Sequence, residues 1–328
     1  MSFSVEAFSW VLYEPEQWQK YAREHHERAA VFADPYLARR HRGEKHPVED
    51  FLFTYYTLKP AQFKRWHPGA GVILLDASEY AQQKFYMRLS AEDIAQLPLS
   101  EAHKERISSS DCAVTVDIAQ FLQRRSEAVS YIYQILSNTA QKNGFFGCFG
   151  MHEWAMAYRS VENNIRHDYL PLRLGAEGTN EVVDSHRIRC SHFDAFRFFM
   201  PQAAPKNELQ PTRQQQRVLE QPACLHANMD IYKWAYKLLP LVDSQLLLDC
   251  FELAWQVREL DMRAAPYDLH DWGYTPVKVE TPSGKAEYVR YQRDFAARAQ
   301  QLRTRLLERV SSVYSPELSP SSAHAQSV

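Results

Sequence analysis

The chain has 328 residues, 45% hydrophobic and 24% charged, with a formal net charge of -2. That is enough for one large domain or two modest ones and excludes a disordered or fibrous protein. The near-neutral charge excludes a uniformly basic nucleic-acid binder and leaves any nucleic-acid contact to a local patch.

Five cysteines, Cys112, Cys148, Cys190, Cys224 and Cys250, are widely spaced and include no C-x-x-C pair. They argue against a disulfide framework or a thiolate zinc site and for reduced thiols in a cytoplasmic protein. The opening MSFSVEAFSW lacks the basic and apolar regions of a signal peptide. No apolar run approaches the ~18 residues of a membrane span.

In chain order, the first distinctive stretch is LARRHRGEKHPVEDFLFTYYTLKPAQFKRWHPGAG (37–71). Arg39, Arg40, Arg42, Lys45, Lys59, Lys64 and Arg65 are interleaved there with Phe51, Phe53, Tyr55, Tyr56, Phe63 and Trp66. Cations among stacking surfaces suit a single strand or a flipped base, and equally the charged face of an ordinary amphipathic helix. GVILLDA (71–77) follows a Pro-Gly turn and predicts a short strand, which KFYMRL (84–89) could pair with. DIAQFLQRRSEAVSYIYQILSNTAQ (117–141) predicts a helix capped by Asp117.

NGFFGCFGMHEWAMAYRSVENNIRH (143–167) holds three of the ten glycines, Gly144, Gly147 and Gly150, within seven residues. Glycine at that density permits positive φ and close backbone approach, by a ligand or by the loop itself. A helix is expected from Met151, with Trp154, Ala157, Tyr158 and Val161 on its apolar side. His152, Arg159, Asn163 and Arg166 form its polar side, and its first amides are candidates for holding an anion. Position 156 is Met, so the zinc-protease pattern H-E-x-x-H is not completed.

RIRCSHFDAFRFFMP (187–201), read as a strand, puts Ile188, Cys190, His192, Asp194, Phe196 and Phe198 on one face. His192 and Asp194 then lie roughly 6–7 Å apart. A carboxylate among Phe rings loses solvation, which raises its pKa and makes a general acid or base, unless it is satisfied by the His or by an Arg. PQAAPKNELQPTRQQQRVLEQP (201–222) reads as a long surface connection with a helical turn at 212–220.

CLHANMDIYKWAYKLLP (224–240) predicts a largely buried helix with His226, Asp230, Lys233 and Lys237 in one narrow polar stripe. Such a stripe faces solvent or lines a cavity for an anionic or base-containing ligand. SQLLLDCFELAWQVRELDMRAA (244–265) predicts a helix bounded by Asp243 and Pro266. VKVETPSGKAEYV (277–289) predicts a hairpin, YQRDFAARAQQLRTRLLERV (291–310) a surface helix, and SPELSPSSAHAQSV (315–328) a disordered tail. These elements predict an α+β fold with helices dominant, a single domain over 1–314.

The blocks RGEKHPVEDFLFTYY, RWHPGAGV, GMHEWAMAYR, SHFDAFRFF, EQPACLHANMDIYKWAYKL and ELDMRAAPYD resemble a little-described bacterial family commonly named 3-methyladenine DNA glycosylase. The resemblance covers most of residues 38–312. The helix-hairpin-helix, Cys/His zinc clasp and helical repeats of established glycosylases have no counterpart here, so no catalytic residue is carried over. The resemblance implies a hydrolase that excises an alkylated base from DNA. An aromatic pocket, phosphate-binding cations and one carboxylate suffice for that chemistry.

The residues expected to carry it are Asp194, His192, Asp230 and His226 as catalytic groups. Arg39, Arg42, Tyr55, Tyr56, Arg65, Trp66, His152 and Lys233 are expected to hold the substrate. One alternative is a metal-dependent enzyme on a small molecule, binding Zn, Fe or Mn through ligands drawn from His152, Glu153, His186, His192, Asp194, His226 and Asp230. The other is a non-catalytic nucleotide or nucleic-acid binding protein. No cofactor is fixed by the sequence.

Overall fold

The computed structural model describes residues 9–160 and 169–314. Val161, Asn163 and Arg166 and the 315–328 segment lie outside the described residues. The fold is α+β and mostly helical, with one four-stranded sheet. Among the described residues no helix is long and apolar enough to cross a membrane.

Strands β1 (Val11–Tyr13), β2 (Val72–Leu74), β3 (Tyr86–Arg88) and β4 (Val114–Val116) lie in the order β1-β2-β4-β3. The expected strands at 71–77 and 84–89 are present, but they do not pair. Each is antiparallel to β4, which runs between them. The alternation of β2 sends its side chains to both faces. Val72 and Leu74 join the main core, whereas Ile73 and Leu75 join a smaller one with Ile94, Leu97, Ile107 and Ala113.

Five long helices build the main core: α1 (Pro15–His41), α2 (Ile118–Ala140), α3 (Leu225–Lys237), α4 (Ser244–Arg263) and α5 (Pro282–Ser311). Their starts follow from capping. Asp117 accepts from Gln120 N at 2.8 Å and Asp243 from Leu246 N at 2.8 Å, as the sequence predicts for α2 and α4. α1 was not expected from the sequence. Only Trp18, His25, Ala29, Ala33 and Tyr36 of its 27 residues are buried, too few for a strong periodic signal.

The hairpin expected at 277–289 is absent. Thr281 caps α5 by accepting from Gly284 N at 3.1 Å, and Pro282 occupies the first turn, where its missing N–H is no loss. Gly284 is required by close approach, because a Cβ there would overlap the Lys278 carbonyl. α5 is also more than a surface helix: Gln292, Phe295, Ala299, Leu302, Arg303, Leu306 and Val310 are buried along one side.

The strand expected at 187–199 is replaced by an extended run ending at His192 and a short helix, Phe193–Phe196. The run is met by a single parallel bridge, Ile188 with Asn207, where Glu208 N donates to Ile188 O at 2.9 Å, and among the described residues it joins no strand of the sheet. Beyond that bridge the Asn207 side chain takes its backbone, accepting from Cys190 N at 2.7 Å and donating to Cys190 O at 2.9 Å. The helix rotates the following side chains, so that Phe199 is buried while Phe196 and Phe198 are only partly covered.

The helix expected from Met151 ends at Met156, and His152 and Glu153 are buried rather than on a polar face. Two of its first amides are taken by the preceding loop rather than left for an anion. Met151 N donates to Cys148 O and Glu153 N to Gly150 O. Gly150 takes positive φ (67°) where the loop turns into the helix.

Candidate active site

α3 is buried around most of its circumference, so its stripe of polar side chains has to be met by other polar groups. Asp230 is the hub. Its Oδ1 accepts from Tyr56 OH at 2.8 Å, and its Oδ2 accepts from Lys233 Nζ at 2.6 Å and lies 3.4 Å from His192 Nε2. Glu220 Oε1 stands 3.3 Å from the same His192 nitrogen and accepts from Gln216 Nε2 at 2.6 Å. Lys233 Nζ also reaches Asp194 Oδ2 at 3.4 Å, and Arg197 Nε reaches Asp194 Oδ1 at 3.3 Å.

The His192 nitrogens have no hydrogen-bond partner of good geometry, so the ring meets its carboxylates as charge against charge. Burial alone would lower the His192 pKa, but Asp230 and Glu220 push it up to about 9. Burial would raise Asp230, but Lys233 and His192 hold it below the ordinary carboxylate range. Burial and the Asp194 and Asp230 charges raise the Tyr55 phenol.

A second cluster adjoins the first. His152 comes from the short helix Met151–Met156, His226 from the first turn of α3, and Arg258 and Asp261 from α4. His152 Nε2 lies 2.9 Å from Asp261 Oδ1, and the His152 and His226 ring centroids are 4.3 Å apart at 84°. Arg258 Nη1 reaches Glu153 Oε1 and Asp261 Oδ2, each at 3.2 Å, and its guanidinium lies over the Phe51 ring. The His226 ring stacks on His192 at 5.3 Å and so joins the two clusters. Burial and the neighbouring His152 hold the His226 ring well below its ordinary pKa, in the neutral form.

Above this buried frame two pockets, of about 330 and 510 Å³, adjoin through Thr57, Tyr236 and Lys237. The first is lined by Arg65, Lys84, Arg125 and Lys237. The second adds Arg197, Arg213 and Lys233, and its walls carry Tyr55, Tyr56, Tyr131, Trp234 and Tyr236. Among the described residues the two linings contain one carboxylate, Asp194. Arg65, Lys84, Arg125, Arg213 and Lys237 form no salt bridge among the described residues. Arg65 instead bonds Gln83 at 2.7 Å. The result is a groove with an excess of positive charge and ring surface.

The structure brings Asp194, His192, Asp230, His226, Lys233, Tyr55, Tyr56 and His152 together, with Arg65 at the far end of the groove. Other residues expected at the site lie elsewhere. Arg39 is closed by Glu49 at 2.8 Å and Asp50 at 2.7 Å, and Arg42 by Glu44 at 2.7 Å. Trp66 is buried against Tyr80. The 39–66 run is therefore not a continuous basic track; its own acidic neighbours neutralise much of it. His186 contacts Val182 O through Nδ1 at 2.6 Å and joins neither cluster.

Residues that the sequence reading missed are Glu220, Arg258 and Asp261 in the frame, and Lys84, Arg125, Arg197 and Arg213 in the groove. Glu220 lies in the Pro-rich stretch read as a surface connection, yet it is 2% exposed. A signal for Asp261 existed: Arg258 and Asp261, one turn apart on a helix apolar nearly all round, repeat the logic that singled out His226 and Asp230. No protein-family model, curated protein or solved structure matches the chain.

Proposed function

We propose that the chain is a cytoplasmic hydrolase that cleaves the N-glycosidic bond of a purine in DNA, with an alkylated base as leaving group. The observation that carries this reading is the groove: among the described residues it has five cations without a salt bridge, a cluster of five aromatic rings, and Asp194 as the one lining carboxylate. The cations match a phosphate backbone. The partly exposed Tyr55, Tyr131 and Tyr236 rings match a base lifted from the stack, and ring stacking contributes about 1–3 kcal/mol per base.

In this reading Asp194 is the catalytic residue. Its carboxylate orients the attacking water or stabilises the oxocarbenium-like sugar as the base departs. Lys233 and Arg197 hold it from either side. Asp230, His192 and Glu220 lie beneath and act on Asp194 through Lys233, as positioning residues.

The test is incubation of the purified protein with an alkylated duplex and an alkylated single strand, scoring abasic sites. Base release by the native protein, lost in Asp194→Asn, supports the reading. Tight binding without release favours the binding-protein alternative. Absence of binding even at low salt removes nucleic acid as the substrate.

A further inference from the structure

We infer that His152, His226 and Asp261 form a binding site for one divalent first-row transition-metal ion of the zinc, iron or cobalt type. Three separate elements deliver these side chains to one place, and their ligand atoms all lie within 4.8 Å of one another. A metal with bonds of about 2.0–2.2 Å to imidazole nitrogen and carboxylate oxygen holds tetrahedral ligand atoms about 3.3–3.6 Å apart, so the widest of these separations has to close by about an ångström on binding. Two imidazoles and one carboxylate are a donor set suited to such ions rather than to calcium or magnesium.

The independent observation is how these atoms point. His152 Nε2 and Asp261 Oδ1 are 2.9 Å apart and fully buried, yet neither has a hydrogen-bond partner of good geometry among the described residues. They meet as an ion pair without hydrogen-bond geometry, and His226 offers a third ligand atom beside them. A buried polar atom left unpaired costs about 1–3 kcal/mol, and an ion bound there satisfies both. The local charge agrees, since Glu153 and Asp261 face a single guanidinium, that of Arg258. Arg258 holds Asp261 Oδ2 at 3.2 Å and leaves Oδ1 free, which is the role of a residue that orients a ligand.

The neighbouring cluster of His192, Glu220 and Asp230 shares the unpartnered imidazole but offers no free carboxylate on Asp230. Both oxygens of Asp230 already accept from protein donors, and the Lys233 ammonium stands 2.6 Å away, where it opposes a second cation. One ion therefore belongs to the first cluster. Two small cavities, each of about 20 Å³, flank His226, and such a space is of the size of one water. The cavity on the groove side is also lined by Glu153, Arg258, Tyr55 and Asp194. A three-ligand ion keeps a coordination position for a water there.

The test uses the full-length protein, stripped with a chelator and titrated with Co²⁺ and then Zn²⁺. Visible absorption of bound Co²⁺ and elemental stoichiometry are the readouts. One equivalent is expected. Asp261→Asn and His226→Ala should each weaken binding by at least about tenfold, whereas His192→Gln should retain it. Circular dichroism checks that the variants are folded. For a variant that does not fold, X-ray absorption of the zinc-loaded native protein replaces it, and should show two imidazole nitrogens with an oxygen shell. The inference is overturned if the stripped native protein takes up none of Co²⁺, Zn²⁺, Fe²⁺ or Mn²⁺, if both ligand variants bind as well as the native protein, or if the absorption spectrum lacks the imidazoles. These readouts do not depend on base release, so the glycosidic reading can fail without affecting them.

Discussion

Replacing Asp194 and Asp230 by asparagine, one at a time, should separate groove chemistry from buried support. Both carboxylates hold Lys233 Nζ, at 3.4 and 2.6 Å. They differ in setting, since the Asp194 side chain is 18% exposed and that of Asp230 only 3%. Asp230→Asn takes a negative charge from between Lys233 and His192, where no solvent can replace it, and turns an amide toward the Tyr56 hydroxyl or the ammonium. Breaking a buried pair in this way costs about 3–5 kcal/mol. That is a large part of a total stability of roughly 5–15 kcal/mol, and corresponds to a fall in melting temperature of roughly 5–15 °C. Asp194→Asn leaves Lys233 its shorter partner and frees only the half-exposed Arg197, so it should cost under about 1 kcal/mol. Base release should nevertheless fall by about 10²–10⁴-fold, the usual contribution of a positioned acid or base. Urea melts give the stabilities and single-turnover base release the rates. Asp230→Asn within about 1 kcal/mol of the native protein refutes the frame argument. A fully active Asp194→Asn protein refutes the catalytic assignment.

Three further outcomes are expected elsewhere in the molecule. Nucleic-acid affinity should fall with salt at a log–log slope of roughly -0.9 per duplex phosphate contacted, and Arg125→Ala or Lys84→Ala should each flatten the slope by about one unit while Arg42→Ala leaves it unchanged. The His25 ring is buried, donates through Nε2 to Phe63 O at 2.9 Å, and is lowered to about 4 mainly by burial. The unfolded chain takes up a proton near pH 6.5 that the folded one refuses, so stability should drop as pH falls from about 6.5 to 4, by roughly 3 kcal/mol from this group, and His25→Gln should flatten that part of a denaturant-measured profile. Gly284→Ala should destabilise by about 1–3 kcal/mol despite the better helix propensity of alanine, because its Cβ meets the Lys278 carbonyl; a variant as stable as the native protein would show that the α5 N-terminus shifts freely.

What could be read from the sequence was what local chemistry decides. An Asp ahead of a periodic apolar run is enough to start α2 and α4, because the cap and the first turn are neighbours in the chain. The period-two pattern at 187–199 is real, yet a strand also needs a partner, and whether one lies alongside is a long-range matter. Here the neighbour is Asn207, which satisfies the backbone with its side chain. The T-P-S-G sequence at 281–284 carries the residues of a turn and equally those of a helix start. The burial of Tyr288, Phe295, Ala299 and Leu302 farther along decides between them. His192, Asp230 and Lys233 could be singled out because polar residues interrupt apolar patterns. Glu220 could not, since nothing within a Pro- and Gln-rich stretch indicates that residue 220 turns inward.

The buried frame is a chain of ion pairs. Its charges alternate: Arg258 beside Glu153 and Asp261, Asp261 beside His152, His192 between Glu220 and Asp230, and Lys233 between Asp230 and Asp194. Alternation keeps each charge from being uncompensated, but it does not make the frame a source of stability. Desolvating an ion pair costs about as much as its attraction returns, and well-packed apolar side chains in the same volume serve stability as well or better. α3 and α4 already supply such side chains, and Ile231, Leu247, Phe251, Ala254 and Val257 are fully enclosed. Stability alone therefore gives no reason to place this many ionisable groups among them. The groups do not scatter through the core. They run from Asp261, through His226 and a cavity the size of one water, to Asp194 at the floor of the groove. A line of titratable groups joining a dry interior to Asp194, the one carboxylate among the described residues lining a cationic, ring-walled groove, is the arrangement that the proposed glycosidic chemistry would draw on.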